Sequence, residues 1–266
     1  MIAVLLATAA AAQSSRLKNI ELCNGKDRSS PDLQIGGCTA LIEAGTEAAS
    51  TLAIAHNNRG NAYATKQEYD LAIQDYNESI KIDPGNAAAF NNRGVAYQKK
   101  GDYDRSIEDF EQSIKLNPNF AEAFANRAET YEKKGEYDRA ARDNDEAIRL
   151  QPTLKLVWNR RCWDRAVIGQ LQAALADCNE ALRLEPDVPA TLDSRAFAYL
   201  KMGELDLAIA DYSSALRLNP SLAASLYGRG LARLKKGDQS GGNADIAAAK
   251  AIKPAIAEEF ARYGVQ

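Results

Sequence analysis

The sequence predicts an all-α solenoid, and three observations predict it. The prolines Pro84, Pro118, Pro152, Pro186, Pro220 and Pro254 follow one another at an unbroken interval of 34 residues, so six copies of one unit stand in register. Within the unit at residues 87–120, AAAFNNRGVAYQKKGDYDRSIEDFEQSIKLNPNF, Phe90, Gly94 and Tyr97 fall at i, i+4 and i+7. Tyr103, Ile107, Phe110 and Ile114 resume helical spacing after a break, which predicts two amphipathic helices per copy. The break is Gly101-Asp102, where glycine can take the left-handed conformation that closes one helix and aspartate can cap the next. Asn117-Pro118 ends the second helix, because a residue before proline is pushed out of the α region. A lone helix pair cannot bury both of its apolar stripes, so the copies must stack.

With those slots on the page, the unit resembles a tetratricopeptide repeat, whose pattern is a large residue, then Leu-Gly, Tyr, Ala, Phe, Ala and Pro at set offsets. In the copy beginning at Ala53 the slots hold His56, Arg59-Gly60, Tyr63, Ala72, Tyr76, Ser79 and Pro84. In the copy beginning at Lys155 they hold Trp158, Arg161-Cys162, Arg165, Ala174, Cys178, Ala181 and Pro186, so the tyrosine slot departs from the pattern there. The resemblance covers residues 53–256. It implies a right-handed α-solenoid of stacked helix-turn-helix units, with the first helices lining a concave groove.

In chain order, residues 1–12 open with the short apolar run MIAVLLATAAAA, which reads as a signal peptide cleaved near Ala12-Gln13, although basic residues before the run are absent. An alanine-rich tail is the alternative. The run is far shorter than the ~20 residues of a membrane span. Residues 13–52 read as a degenerate N-terminal capping repeat. PDLQIGGCTALIEAG overlays YDLAIQDYNESIKID, with Ser30-Pro31 as the start signal and Gly45 as the stop. Six repeats fill 53–256, and 257–266 form a C-terminal capping helix, with Ile256, Phe260 and Tyr263 on one stripe suited to covering the last exposed face.

Four cysteines form two similarly spaced pairs, Cys23 with Cys38 and Cys162 with Cys178. Cys162 lies in a small-residue slot of a first helix and Cys178 on the facing side of its partner, so a disulfide is geometrically plausible. Buried thiols acting as small hydrophobes are the alternative. Paired cysteines and a leader together predict a periplasmic or secreted protein.

Two ladders repeat in every copy: Arg59, Arg93, Arg127, Arg161, Arg195 and Arg229 at one slot, and Asp75, Asp109, Asp143, Asp177, Asp211 and Asp245 at another. The arginine stands where the repeat pattern has an apolar leucine. Partial burial of a guanidinium requires a carboxylate partner, so structural ion pairs are expected, either within a copy or with the copy before.

In the family, the residue after the small slot points into the groove. Here that row reads Asn61, Val95, Glu129, Trp163, Phe197 and Leu231, and the neighbouring slots add Asn159, Val167, Leu200, Tyr227 and Leu234. An apolar row with aromatic anchors predicts a partner groove, unless these side chains pack on adjacent first helices. The relatives that capture chaperone C-termini use a basic residue where the first copy has Asn57, so that specificity is not expected. The 33 basic and 36 acidic side chains give a net charge of −3 and imply no nucleic acid partner. The single histidine, His56, fills a packing slot, and the SGGN run at 240–243 lacks the lysine and hydroxyl of a phosphate loop. No enzyme, cofactor or metal is therefore expected. The function predicted is a protein–protein interaction scaffold or assembly adaptor that binds a peptide or protein in the groove. The alternative is a carrier or sensor of a lipid or other apolar small molecule.

Overall fold

Helix follows helix through the chain, and the sequence explains each start and stop. The computed structural model describes residues 2–25 and 30–265, with the side chains of residues 2–12 outside that description. Among the described residues there are fifteen helices and no strands. They are α1 (Ile2–Cys23), α2 (Pro31–Ala44), α3 (Ala49–Thr65), α4 (Tyr69–Ile82), α5 (Ala87–Lys99), α6 (Tyr103–Leu116), α7 (Ala121–Lys134) and α8 (Tyr137–Leu150). The remainder are α9 (Lys155–Val167), α10 (Leu171–Leu184), α11 (Pro189–Met202), α12 (Leu205–Leu218), α13 (Ala223–Lys235), α14 (Gln239–Ile252) and α15 (Ile256–Arg262). The architecture is an all-α solenoid in which successive helices pack on one another from α1 to α6 and from α8 to α15. No described helix is long and apolar enough to cross a membrane.

The expected leader falls largely outside the described side chains, and the backbone of residues 2–12 is the first half of α1. Ser30 caps α2 by accepting from the Leu33 amide, Pro31 occupies its first turn, and Gly45 ends it in the left-handed conformation. Inside the repeats Asn86, Asp102 and Asp238 accept from the amides of Ala89, Arg105 and Gly241 at the N-termini of α5, α6 and α14. The turn slot between paired helices has positive φ in Gly101, Gly135, Gly169, Gly203 and Gly237. In the first copy the same slot holds Gln67, at φ 62°, so the stacking of the copy enforces the turn even where a Cβ opposes it.

The closest approach within a pair is set by the small slot of the first helix and the large slot of the second. A Cβ built on Gly60 would lie 2.6 Å from the Tyr76 ring, and one on Gly94 would lie 2.8 Å from Phe110. In the fourth copy those two slots hold Cys162 and Cys178, joined as a disulfide with Cα atoms 5.3 Å apart. The covalent bond thus replaces the glycine–aromatic contact. A second disulfide joins Cys23 of α1 to Cys38 of α2, Cα atoms 4.6 Å apart, and its cysteines form a small core with Leu41 and Ala55.

The chain divides into two compact units, Met1–Thr130 and Tyr131–Gln266. The second holds the larger core, running from Cys162 through Phe197, Tyr212 and Leu231 to Ile256, Phe260 and Val265.

Candidate functional site

The face built by the first helices of the second unit was expected to be an open apolar strip, and it is covered. Phe197, Leu200, Tyr227 and Leu231 are 1%, 5%, 8% and 8% exposed. These four residues are core, which corrects the expectation that they face solvent. What covers them is the end of the chain. Helix α15 packs on α13 and α14, and its stripe turns back over the row instead of only closing the end of the stack. Phe260 meets Phe197 at 5.8 Å and Tyr227 at 4.8 Å between ring centroids. Tyr263 lies 5.1 Å from Trp163, 6.1 Å from Phe197 and 6.1 Å from Tyr137. Trp163 and Phe197 are themselves 4.9 Å apart. Most of these pairs are edge-to-face, the arrangement that ring quadrupoles favour. Lys201 fixes the backbone: its Nζ donates to the Tyr263 carbonyl at 3.1 Å and the Val167 carbonyl at 2.8 Å. Burial lowers the pKa of this lysine. Trp163, Val167, Asn159 and Leu234 remain partly exposed on the same face, and Val95 is partly exposed in the first unit.

In the first unit this face is lined by carboxamides. Asn92 donates to Asn57 at 3.1 Å, Asn126 to Asn91 at 3.0 Å and Asn58 to Asn24 at 3.1 Å, each linking one copy to the copy before. Asn61 accepts from the Tyr76 hydroxyl at 2.8 Å. A carboxamide carries both a donor and an acceptor, the same pair that a peptide unit presents.

In five of the six copies the ladders resolve into pairs within the copy. Arg59 holds Asp75 through Nε and a terminal nitrogen, both at 2.8 Å, and Arg93 holds Asp109 at 2.8 and 2.6 Å. Arg161 with Asp177, Arg195 with Asp211 and Arg229 with Asp245 repeat this fork. The third nitrogen of each fork reaches the preceding second helix, at Thr39, Asn77, Asp145, Asn179 and Ser213 respectively. Each of these five arginines therefore stitches its copy to the helix before it. The acceptor slot recurs every 34 residues from Asn77 through Glu111, Asp145 and Asn179 to Ser213, and sequence reasoning missed it because the residue type changes while the acceptor chemistry does not. Arg127 lies on α7 over the Phe124 ring, 5.8 Å from its centroid, and Asp143 is buried on α8. Arg93 and Arg161 likewise lie over Phe90 and Trp158.

Burial is the largest influence on Asp75, yet hydrogen bonds from His56, 2.9 Å away, and Arg59 carry its pKa below the usual range. Asp109 has the arginine without a histidine, and burial leaves its pKa raised. His56 thus serves the first ion pair. A more strongly perturbed acid lies in the second unit. Asp164 is fully buried and accepts from Asn144 at 2.9 Å through Oδ2, while its Oδ1 finds no partner. Burial first, then the Glu132 carboxylate, push its pKa up to about 9. Among the described residues no His, Cys, Asp and Glu cluster is arranged to hold a metal.

No curated protein matches the sequence. Family models of the TPR repeat match residues 60–101 and 198–237, and two of the tetratricopeptide repeat match 87–120 and 110–142. Among solved structures, YrrB, a TPR protein with an unusual peptide-binding site, aligns at 19% identity and a TM-score of 0.63, over 72% of this chain and 97% of its own. PilW, a type IV pilus biogenesis factor, aligns at 20% identity and a TM-score of 0.67, over 79% of this chain and 98% of its own. A tetratricopeptide repeat protein from Parabacteroides merdae aligns at 18% identity and a TM-score of 0.67, over 94% and 99%. Such identities carry fold alone, and the family models, which match residues 60–142 and 198–237, show that the chain contains tetratricopeptide repeats.

Proposed function

We propose that the chain is a protein–protein interaction scaffold or assembly adaptor that binds a polypeptide partner on the face of its first helices. One observation carries this reading: in the second unit that face already holds a helical polypeptide segment, by aromatic anchors and by a lysine on a backbone carbonyl. The carboxamides of Asn57, Asn61 and Asn92, partly exposed on the first unit's face, add groups matched to a peptide backbone. The shared fold of YrrB and PilW supports a scaffold role. The row of Phe197, Leu200, Tyr227 and Leu231 is occupied by a polypeptide segment, α15, which favours the polypeptide reading over the carrier reading. Two disulfides support a working protein in an oxidising compartment, periplasmic or extracellular.

The test is site-specific photo-cross-linking in the source cells. A photoreactive side chain at Val95 or Asn159, on the first-helix face, should trap a protein partner, whereas one at Leu207, exposed on a second helix, should not. Trapping from Leu207 but not from the face positions would overturn the reading.

A further inference from the structure

The segment that covers the apolar row has the properties of a ligand. Helix α15 has seven residues, and so short a helix is not stable in water alone, so its helical state depends on the surface beneath it. It presents Ile256, Phe260 and Tyr263 at i, i+4 and i+7, followed by Val265, while Glu258, Ala261 and Arg262 stay exposed. The receiving surface spans three copies. Tyr263 reaches Trp163 of the fourth, Phe260 reaches Phe197 of the fifth, and Phe260 also packs on Tyr227 of the sixth. The attachment to the solenoid is short: α14 ends at Ile252, and only Lys253, Pro254 and Ala255 separate it from α15.

We infer that α15 is a resident occupant of a helix-binding site, and that the partner is a short amphipathic helix bearing large apolar or aromatic residues at i, i+4 and i+7, which takes the site by displacing α15. This deepens the proposed function and rests on it. The site's shape specifies the partner, because the face accepts a stripe of that spacing and a carbonyl for Lys201 at its end. The tether sets the threshold for entry. A segment held by so short a link acts at an effective concentration of about a millimolar, so a partner must bind the face more tightly than seven residues do in order to enter.

The experiment uses the full chain and, as probe, a fluorescent peptide of residues 253–266. The native chain and the Phe260→Ser/Tyr263→Ser variant are titrated with it by anisotropy. Emission from the two tryptophans, one of them Trp163 under Tyr263, reports whether α15 has left. The variant should bind the probe about tenfold or more tightly than the native chain. Equal affinity in both would show that α15 does not gate the site, overturning the inference while leaving the proposed function standing. A variant that keeps its helicity, shows a red-shifted emission and binds no probe would overturn both. Should the double variant lose helicity, Tyr263→Ala, which removes a partly exposed ring, carries the same comparison. If the native chain instead dimerises with rising concentration and the variant does not, the occupant is a second copy's α15 and the inference of a separate partner falls.

Discussion

Replacing Asp164 with asparagine should stabilise the protein, and increasingly so as the pH rises. Asp164 is fully buried, beside Asn144 and the Glu132 carboxylate, and its pKa stands at about 9. In an unfolded chain an aspartate titrates near ~3.9. The folded value is the higher one, so the native state holds the carboxyl protonated. Its contribution to stability is complete below about pH 4 and is lost as the pH climbs towards 9, because folding must then return a proton to an ionised group. The slope is at most ~1.4 kcal/mol per pH unit for one such group. Asparagine fills the same volume, can accept from Asn144 and does not titrate. Urea denaturation followed by tryptophan emission, for native chain and Asp164→Asn at pH 5, 6.5 and 8, measures the difference. The gap should widen steadily and reach about 2–5 kcal/mol at pH 8, the lower end allowing for relaxation around a buried charge. Parallel curves across that range would refute the argument and mean that Asp164 is ionised in the native state.

Asp177→Ala should cost about 3–5 kcal/mol, since it removes the partner of two cations, Arg161 and Arg165, while Asp145 remains to hold each by one nitrogen. A loss under about 1 kcal/mol in urea denaturation would show that these forks are solvated pairs of the ordinary surface kind. Phe197→Ala should cost about 3–5 kcal/mol, as for a buried ring, because Trp163, Phe260 and Tyr263 all lose their contact with it. An unchanged melting temperature would mean that α15 spends most of its time undocked and that the ring faces water.

What could be read from the sequence is what repeats, and what could not is what happens once. The proline period and the turn glycines recur in copy after copy, so the all-α solenoid follows before any single helix is certain. Even the exception is informative: Gln67 holds positive φ in a turn where the later copies have glycine, so the stacked context outweighs the local preference. The ladder register was open because an arginine lies within reach of both its own copy and the one before. The structure uses both, with the fork on the aspartate of the same copy and the remaining nitrogen on the preceding one. Docking of α15 belongs to the unrepeated part. Its stripe of Ile256, Phe260 and Tyr263 announced a surface to be covered, and the row of Trp163, Phe197 and Leu231 announced a surface able to cover one. Nothing in the spacing joined them, because three connecting residues can lead either onto the end of the stack or back across its first helices. Two apolar surfaces in one chain, each without an evident partner, are therefore each other's first candidate, since a tethered contact forms at far lower cost than one between separate molecules. In this chain the row of Phe197 and Leu231 is closed over by the chain's own α15.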